Sequence, residues 1–372
     1  MFRHTIPLGR ILGIPIGLDY SWFLIFGLLT WSLATGYYPA EFRDWPAAQY
    51  WITAGVTAAL MFSCVLLHEL GHSVVALRFK VPVRSITLFI FGGVAQLAAE
   101  PPSASAEFQI AIAGPIVSFV LAALFAALQM AFAGAESLFA LAKYLAFINA
   151  MLASFNLIPG FPLDGGRVFR AIVWGFTKNF RRATLIAATV GRFIAFLFIA
   201  FGVWQVFSGH VANGVWIIFI GWFLDTAAVA QTQQQMLQGF LAGHKVSEAM
   251  SRDYLSIPGP ATLQELVDSH VLGEGRRTFM VGGDGQGGGL LTLHSIKSVP
   301  KAEWPTTTAA QAMIPMERLK SIQPDAEVWT ALELMDRDGV NQLPVISGGT
   351  VVGLLSRDSV ITYLRTLQEI AK

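Results

Sequence analysis

Read for hydrophobic and polar positions alone, the chain changes character near residue 231. Before that point, apolar windows recur near 17–36, 51–77, 108–132, 139–158, 183–207 and 212–231, each about the length that crosses a bilayer core as a helix. After it, apolar positions come in short alternating runs separated by glycine and polar clusters, as in a folded domain of strands and amphipathic helices. Between the second and third windows, the segment Arg84 to Leu97 is too short to cross as a helix and carries a glycine pair, Gly92-Gly93. It reads as two short strands around a turn that dip into the membrane interface. The pattern therefore predicts a polytopic α-helical membrane protein, six transmembrane helices with a short membrane-associated β-loop, followed by a soluble α+β region.

Composition supports this division. Of 372 residues, 54% are hydrophobic and 13% charged, against about 25% charged in ordinary soluble domains. Residues 1–230 hold 13 Lys or Arg and 9 Asp or Glu, and residues 231–372 hold 12 and 15. The membrane half is thus net positive and the remainder net negative, and neither holds a tract suited to nucleic acid. With an even number of spans and a cytoplasmic N-terminus, the inner segments carry Arg3, Arg10, Arg78, Lys80, Arg84, Arg167, Arg170, Lys178, Arg181 and Arg182, and the outer ones Arg43 and Lys143. That distribution follows the positive-inside rule and places both termini of a multi-pass plasma-membrane protein in the cytoplasm. The opening residues lack a signal peptide's apolar core and cleavage site and are expected to stay on the chain. A single cysteine, Cys64, excludes an internal disulfide framework and a multi-thiolate metal site; it reads as a small residue packed between helices.

The second window ends in His68-Glu69-Leu70-Gly71-His72. On a helix, residues four apart share a face, so both imidazoles can reach one metal ion while Glu69 is offset to meet a water beside it. Ionisable groups at membrane depth are costly and usually functional. A hydrolytic zinc site takes a third protein ligand, and the candidate is Asp164, 92 positions after His72 in Asn156-Leu157-Ile158-Pro159-Gly160-Phe161-Pro162-Leu163-Asp164-Gly165-Gly166-Arg167. The prolines stop the fourth span, and the glycine pair is expected to turn the backbone so that Asp164 sits at the depth of the histidines. Arg192 and Asp225, in the fifth and sixth windows, lie equally far from the cytoplasmic ends and either pair or separately meet the interface and water.

These motifs, with Phe91-Gly92-Gly93-Val94 and Ala113-Gly114-Pro115, resemble the site-2 protease family of intramembrane zinc metalloproteases across the whole membrane half. The resemblance implies one zinc ion held by His68, His72 and Asp164, Glu69 as general base and acid, and Asn156 assisting the substrate or an oxyanion. A helix-capping role for Asn156 fits equally. It further implies a single-span membrane protein substrate, such as a membrane-held regulator or anti-sigma factor, already trimmed outside the membrane.

The remaining third repeats itself. Ser247-Glu248-Ala249-Met250 matches Ala310-Gln311-Ala312-Met313, and the run from Gly289 to Ile296 matches that from Gly353 to Val360. This resembles a tandem pair of cystathionine-β-synthase (CBS) domains, with domains expected at 1–231 (protease), 246–300 and 309–372 (CBS) and linkers at 232–245 and 301–308. Such pairs in many proteins bind adenine nucleotides and regulate an attached enzyme. Here Ser295 and Ser359 stand where the family commonly has the aspartate that holds ribose, so nucleotide binding stays open beside homodimerisation or substrate docking. A CBS-gated zinc transporter and an inactive helix-binding relative are the rival readings; a transport site has no use for Glu69 beside a water position.

Overall fold

The computed structural model describes residues 5–282 and 288–370 and divides into two compact units, residues 1–233 and 234–372. The first unit opens with a hairpin, β1 (Thr5–Ile11) and β2 (Ile14–Asp19). Its turn residues Leu12 and Gly13 have φ of 53° and 81°, as a type I′ turn requires. β2 buries Ile14, Ile16 and Leu18 on one face. The expectation of a span starting at residue 17 is corrected accordingly: residues 17–19 are strand, and helix begins only at Ser21. There α1 (Ser21–Ser32), a π turn at Leu33–Tyr37 and α2 (Tyr38–Glu41) run on in twelve, five and four residues.

The long elements follow as α3 (Ala47–Arg78), β3 (Val83–Phe89), β4 (Gly92–Leu97), α4 (Ala104–Ala131), α5 (Glu136–Asn156), α6 (Asp164–Thr177), α7 (Phe180–Phe207) and α8 (Val211–Leu241). Among the described residues, five helices are long and apolar enough to cross a membrane: α3, α4, α5, α7 and the Val211–Ala230 part of α8. The first expected window falls on the interrupted α1–α2 run, which contains no single helix of that length. Side chains cap two of these helices, with Ser103 Oγ accepting from the Ala106 N–H (3.2 Å) and Asn179 Oδ1 from the Arg182 N–H (2.9 Å), which satisfies donors that a helix start leaves unpaired.

The expected β-loop is present as β3 and β4, joined to the N-terminal hairpin in one sheet of order β1-β2-β3-β4. β2 and β3 pair in parallel, Ile16 opposite Ile86 and Leu18 opposite Leu88, and β4 lies antiparallel at the sheet edge. Arg192 Nε and Asp225 Oδ1 do pair, at 2.9 Å, with both side chains partly exposed on α7 and α8. Cys64 is buried and free.

The second unit contains α9 (Val246–Ala249), β5 (Leu255–Ile257), α10 (Leu263–Leu266), β6 (Thr278–Val281), β7 (Gly289–Thr292), α11 (Leu293–Lys297), α12 (Ala309–Ala312), β8 (Ile314–Pro315), α13 (Val328–Asp338), β9 (Gln342–Ser347), β10 (Thr350–Ser356) and α14 (Arg357–Ile370). The two repeats exchange their first helices. Val246 and Ala249 of α9 pack into the core of Val328, Ala331 and Leu355, while Ala309 of α12 packs into that of Leu263, Phe279 and Leu291. This explains the repeated glycines and methionines, because a Cβ at Gly353 would stand 2.8 Å from Met250 Sδ and one at Gly289 would stand 2.9 Å from Met313 Sδ. Between the repeats, Met280 and Leu290 meet Val351 and Leu354, and the Thr278 hydroxyl donates to Gln342 Oε1 (2.7 Å), a residue 64 positions on.

Candidate active site

Five segments of the first unit converge on one spot. α3 and α5 end there, α4 and α6 begin there, and the edge strand β4 closes one side. Asp164 is the first residue of α6, where the helix dipole favours a carboxylate. The chain reaches it through the Pro159-to-Leu163 turn, against which α6 packs with no room for side chains. A Cβ at Gly166 would lie 2.5 Å from Gly160 C and Phe161 N, and one at Gly165 would overlap the Leu157 and Ile158 carbonyls. The glycine pair is thus helical and needed for close approach, and the expected turn falls just before it.

His68 Nε2, His72 Nε2 and Asp164 Oδ2 form a triangle with sides of 3.1, 3.2 and 3.2 Å. Among the described residues they are the sole His, Cys, Asp or Glu group arranged to hold a metal ion. Three ligands of a tetrahedral zinc at 2.0–2.1 Å would lie about 3.3 Å apart, so the donor set fits that ion. The tautomers also fit. The His72 Nδ1–H donates to the Ile110 carbonyl (2.7 Å), and His68 Nδ1 lies 2.9 Å from Ser118 Oγ, which directs each Nε2 lone pair into the triangle. Space for an ion exists because residue 114 has no side chain: a Cβ on Gly114 would lie 2.7 Å from His68 Nε2 and 2.6 Å from His72 Cε1. Both histidines are buried.

Glu69 flanks the triangle on the β4 side. Its Oε2 accepts from the Ala95 N–H at 3.0 Å, and Gly93 lies so close that a Cβ there would be 2.7 Å from Glu69 Cγ. Asn156, the last residue of α5, reaches the triangle from the opposite end, with Nδ2 3.5 Å from His68 Nε2. All five predicted residues are therefore brought together.

Known zinc metalloproteases resemble the chain over nearly its whole length. The family model for peptidase family M50 matches residues 56–141 and 131–198. The chain is 36% identical over 363 residues, 96% of its own length and 92% of the other's, to Rip3 of Mycobacterium tuberculosis, which is named as a zinc metalloprotease. The chain belongs to peptidase family M50, the site-2 proteases. A second relative named as a zinc metalloprotease, sll0528 of Synechocystis sp., is 37% identical over 377 residues, 98% of this chain and 96% of that one. The solved site-2 protease of Methanocaldococcus jannaschii has 31% identity, a TM-score of 0.43 and a match covering 62% of this chain and 95% of that one. This M50 protease is a zinc metalloendopeptidase that works within the membrane. Its second repeat matches the CBS domain model at residues 309–366.

Two buried residues near the site of this M50 protease escape sequence reasoning. Glu107 of α4 and Arg170 of α6 are 0% and 1% exposed, with Arg170 Nε donating to Glu107 Oε1 at 2.7 Å. In the sequence Arg170 is one of ten inner-side cations, and Glu107 stands just before the window at 108–132. The signal available was a lone carboxylate entering an apolar window. In the CBS pair, Ser295 and Ser359 are used locally: Ser295 Oγ lies 3.0 Å from Thr292 Oγ1 where α11 is capped, and Ser359 Oγ donates to the Ser356 carbonyl at 2.8 Å.

Proposed function

We propose that this protease cuts single-span membrane proteins in or beside their transmembrane segment, membrane-held regulators such as anti-sigma factors being the substrate class, under control of its CBS pair. In this reading His68, His72 and Asp164 hold one zinc ion, Glu69 moves the proton and Asn156 steadies the substrate. Zinc held there lowers the pKa of a water and polarises the scissile carbonyl. Ala95 N–H holds Glu69 Oε2, which leaves Oε1 to take a proton from the attacking water and return it to the departing amine nitrogen. The Asn156 amide, beside His68, can donate to the substrate carbonyl as charge develops on it.

A helical substrate shields its peptide bonds with its own hydrogen bonds, and an unwound segment needs replacements for them at membrane depth. The outer edge of β4 can supply these by adding the substrate as a further strand. The observation that carries the reading is the fixing of Glu69 by that edge strand beside three converging ligand atoms. With the α1–α2 run as a sixth span, the lysine and arginine distribution supports a multi-pass plasma-membrane protein with both termini cytoplasmic. The CBS pair is read as a homodimer or docking contact, since the serine hydroxyls at the ribose positions are engaged in helix caps.

The test is cleavage by full-length protein in liposomes of a panel of single-span segments, half carrying a Gly-Pro break within the span. Cleavage confined to the broken spans is expected. Cleavage of span-free soluble peptides with no preference for spans would overturn the proposal.

A further inference from the structure

We propose that the buried Glu107–Arg170 pair is a positioning device that sets Asp164 against the two histidines. The inference rests on the reading of those three residues as zinc ligands. Arg170 lies six residues after Asp164 on α6, and Glu107 lies three residues before Ile110, whose carbonyl accepts from His72 Nδ1–H on α4. Eight residues beyond Ile110, on the same helix, is Ser118, the partner of His68. The pair therefore ties the helix that carries the third ligand to the helix that orients the first two.

The guanidinium is held from other directions as well. It lies over the ring of Phe161, in the turn that leads to Asp164, at 5.1 Å, and over that of Phe180, at the start of α7, at 4.6 Å. Its Nη2 contacts Glu107 Oε1 and lies 3.7 Å from Glu100 Oε2 on the segment between β4 and α4. One side chain thus fixes the turn before Asp164, the helix after it and the segment leading out of the β-loop.

Stability alone does not account for this arrangement. Glu107 Oε2 and Arg170 Nη1 are buried without a hydrogen-bond partner among the described residues. Buried ion pairs with such gaps commonly contribute no more than well-packed apolar residues of the same size. What an apolar couple cannot reproduce is direction: a charge-assisted contact in which Nε and Nη2 both donate to Glu107 Oε1 fixes the rotation and the advance of α6 along its axis. A site whose ligand distances are tolerated within about 0.2 Å depends on both.

The experiment measures apparent zinc affinity of the full-length protein in detergent by competition with graded chelators, together with the melting temperature in excess chelator. Glu107→Leu with Arg170→Met removes both charges and leaves neither unpaired. It is expected to melt, metal-free, no lower than wild type, and to bind zinc about 10- to 100-fold more weakly, the range seen when groups behind metal ligands are lost. A folded double variant with wild-type zinc affinity overturns the proposal. Should that variant not fold, Arg170→Lys replaces the fork by a point charge. It is expected to weaken zinc several-fold at an unchanged metal-free melting temperature, and wild-type affinity in it likewise overturns the proposal. Neither readout uses proteolysis, so failure of the protease reading would show separately, as a wild type that holds zinc and cuts nothing.

Discussion

Gly114→Ala places a methyl group where the three candidate ligand atoms of His68, His72 and Asp164 converge. Its Cβ would stand 2.7 Å from His68 Nε2 and 2.6 Å from His72 Cε1, against ordinary contact at about 3.5 Å. The nearest atom is His72 Nε2 itself, so more than 1 Å of overlap must be relieved. Neither ring is free to swing, because His68 is held at Nδ1 by Ser118 and His72 by the Ile110 carbonyl. With ligand distances tolerated to about 0.2 Å, a shift of this size should weaken zinc at least 100-fold, or about 2.8 kcal/mol at 1.4 kcal/mol per tenfold. The metal-free fold should respond differently, since alanine in place of glycine within a helix contributes up to about 1 kcal/mol of stability. The assay is metal content after dialysis against buffered zinc, alongside melting in chelator, with Gly175→Ala as control because its Cβ would meet only Ala104 Cβ at 4.0 Å. Loss of zinc at a nearly constant metal-free melting temperature is expected in Gly114→Ala alone. Wild-type zinc affinity in that variant would refute the placement of the ion.

Three other outcomes follow from the same geometry. Gly93→Ala pushes a Cβ to 2.7 Å from Glu69 Cγ and 3.2 Å from Val65 Cγ1; kcat should fall about 10- to 100-fold, within the range general acid–base catalysis supplies, while bound zinc, read by metal analysis, stays at one per chain. In the CBS unit, hydrogen bonds from the Tyr363 hydroxyl and from His244 hold the Glu248 carboxyl down to about 2 from its ordinary 4.5. A lowered folded-state pKa gives stability that is complete above pH 4.5 and is lost as pH falls toward 2, so melts across that window should separate wild type from Glu248→Gln, and identical pH profiles would contradict the contact. Calorimetry of the full chain with AMP or ATP should show no saturable heat at millimolar ligand; a binding isotherm would restore the nucleotide-sensor reading.

Much of the membrane half was legible because long apolar windows and a histidine pair one helical turn apart are local signals. The windows at 51–77, 108–132, 139–158 and 183–207 fall within four residues of the ends of α3, α4, α5 and α7. The N-terminal hairpin was missed because Ile14 to Leu18 is as apolar as the helix after it, and the partner that makes it a strand, Ile86 to Leu88, is about seventy residues away. The Glu107–Arg170 contact joins residues 63 apart and leaves no periodic trace. The repeat revealed two copies, yet not that α9 and α12 each pack on the other copy's core, since similar sequences fit either. Asp164 was found for a chemical reason, the need for a third ligand, while the glycines behind it serve packing that only backbone coordinates reveal.

In the proposed mechanism Glu69 does the proton transfer beside a zinc ion held by His68, His72 and Asp164. The measurement that tests it most directly compares wild type with Glu69→Gln in liposomes, scoring zinc per chain and cleavage of single-span segments in the same samples. The account predicts one zinc in both proteins and cleavage by the wild type alone; cleavage by the glutamine variant at the wild-type rate, or loss of zinc from it, would contradict the account.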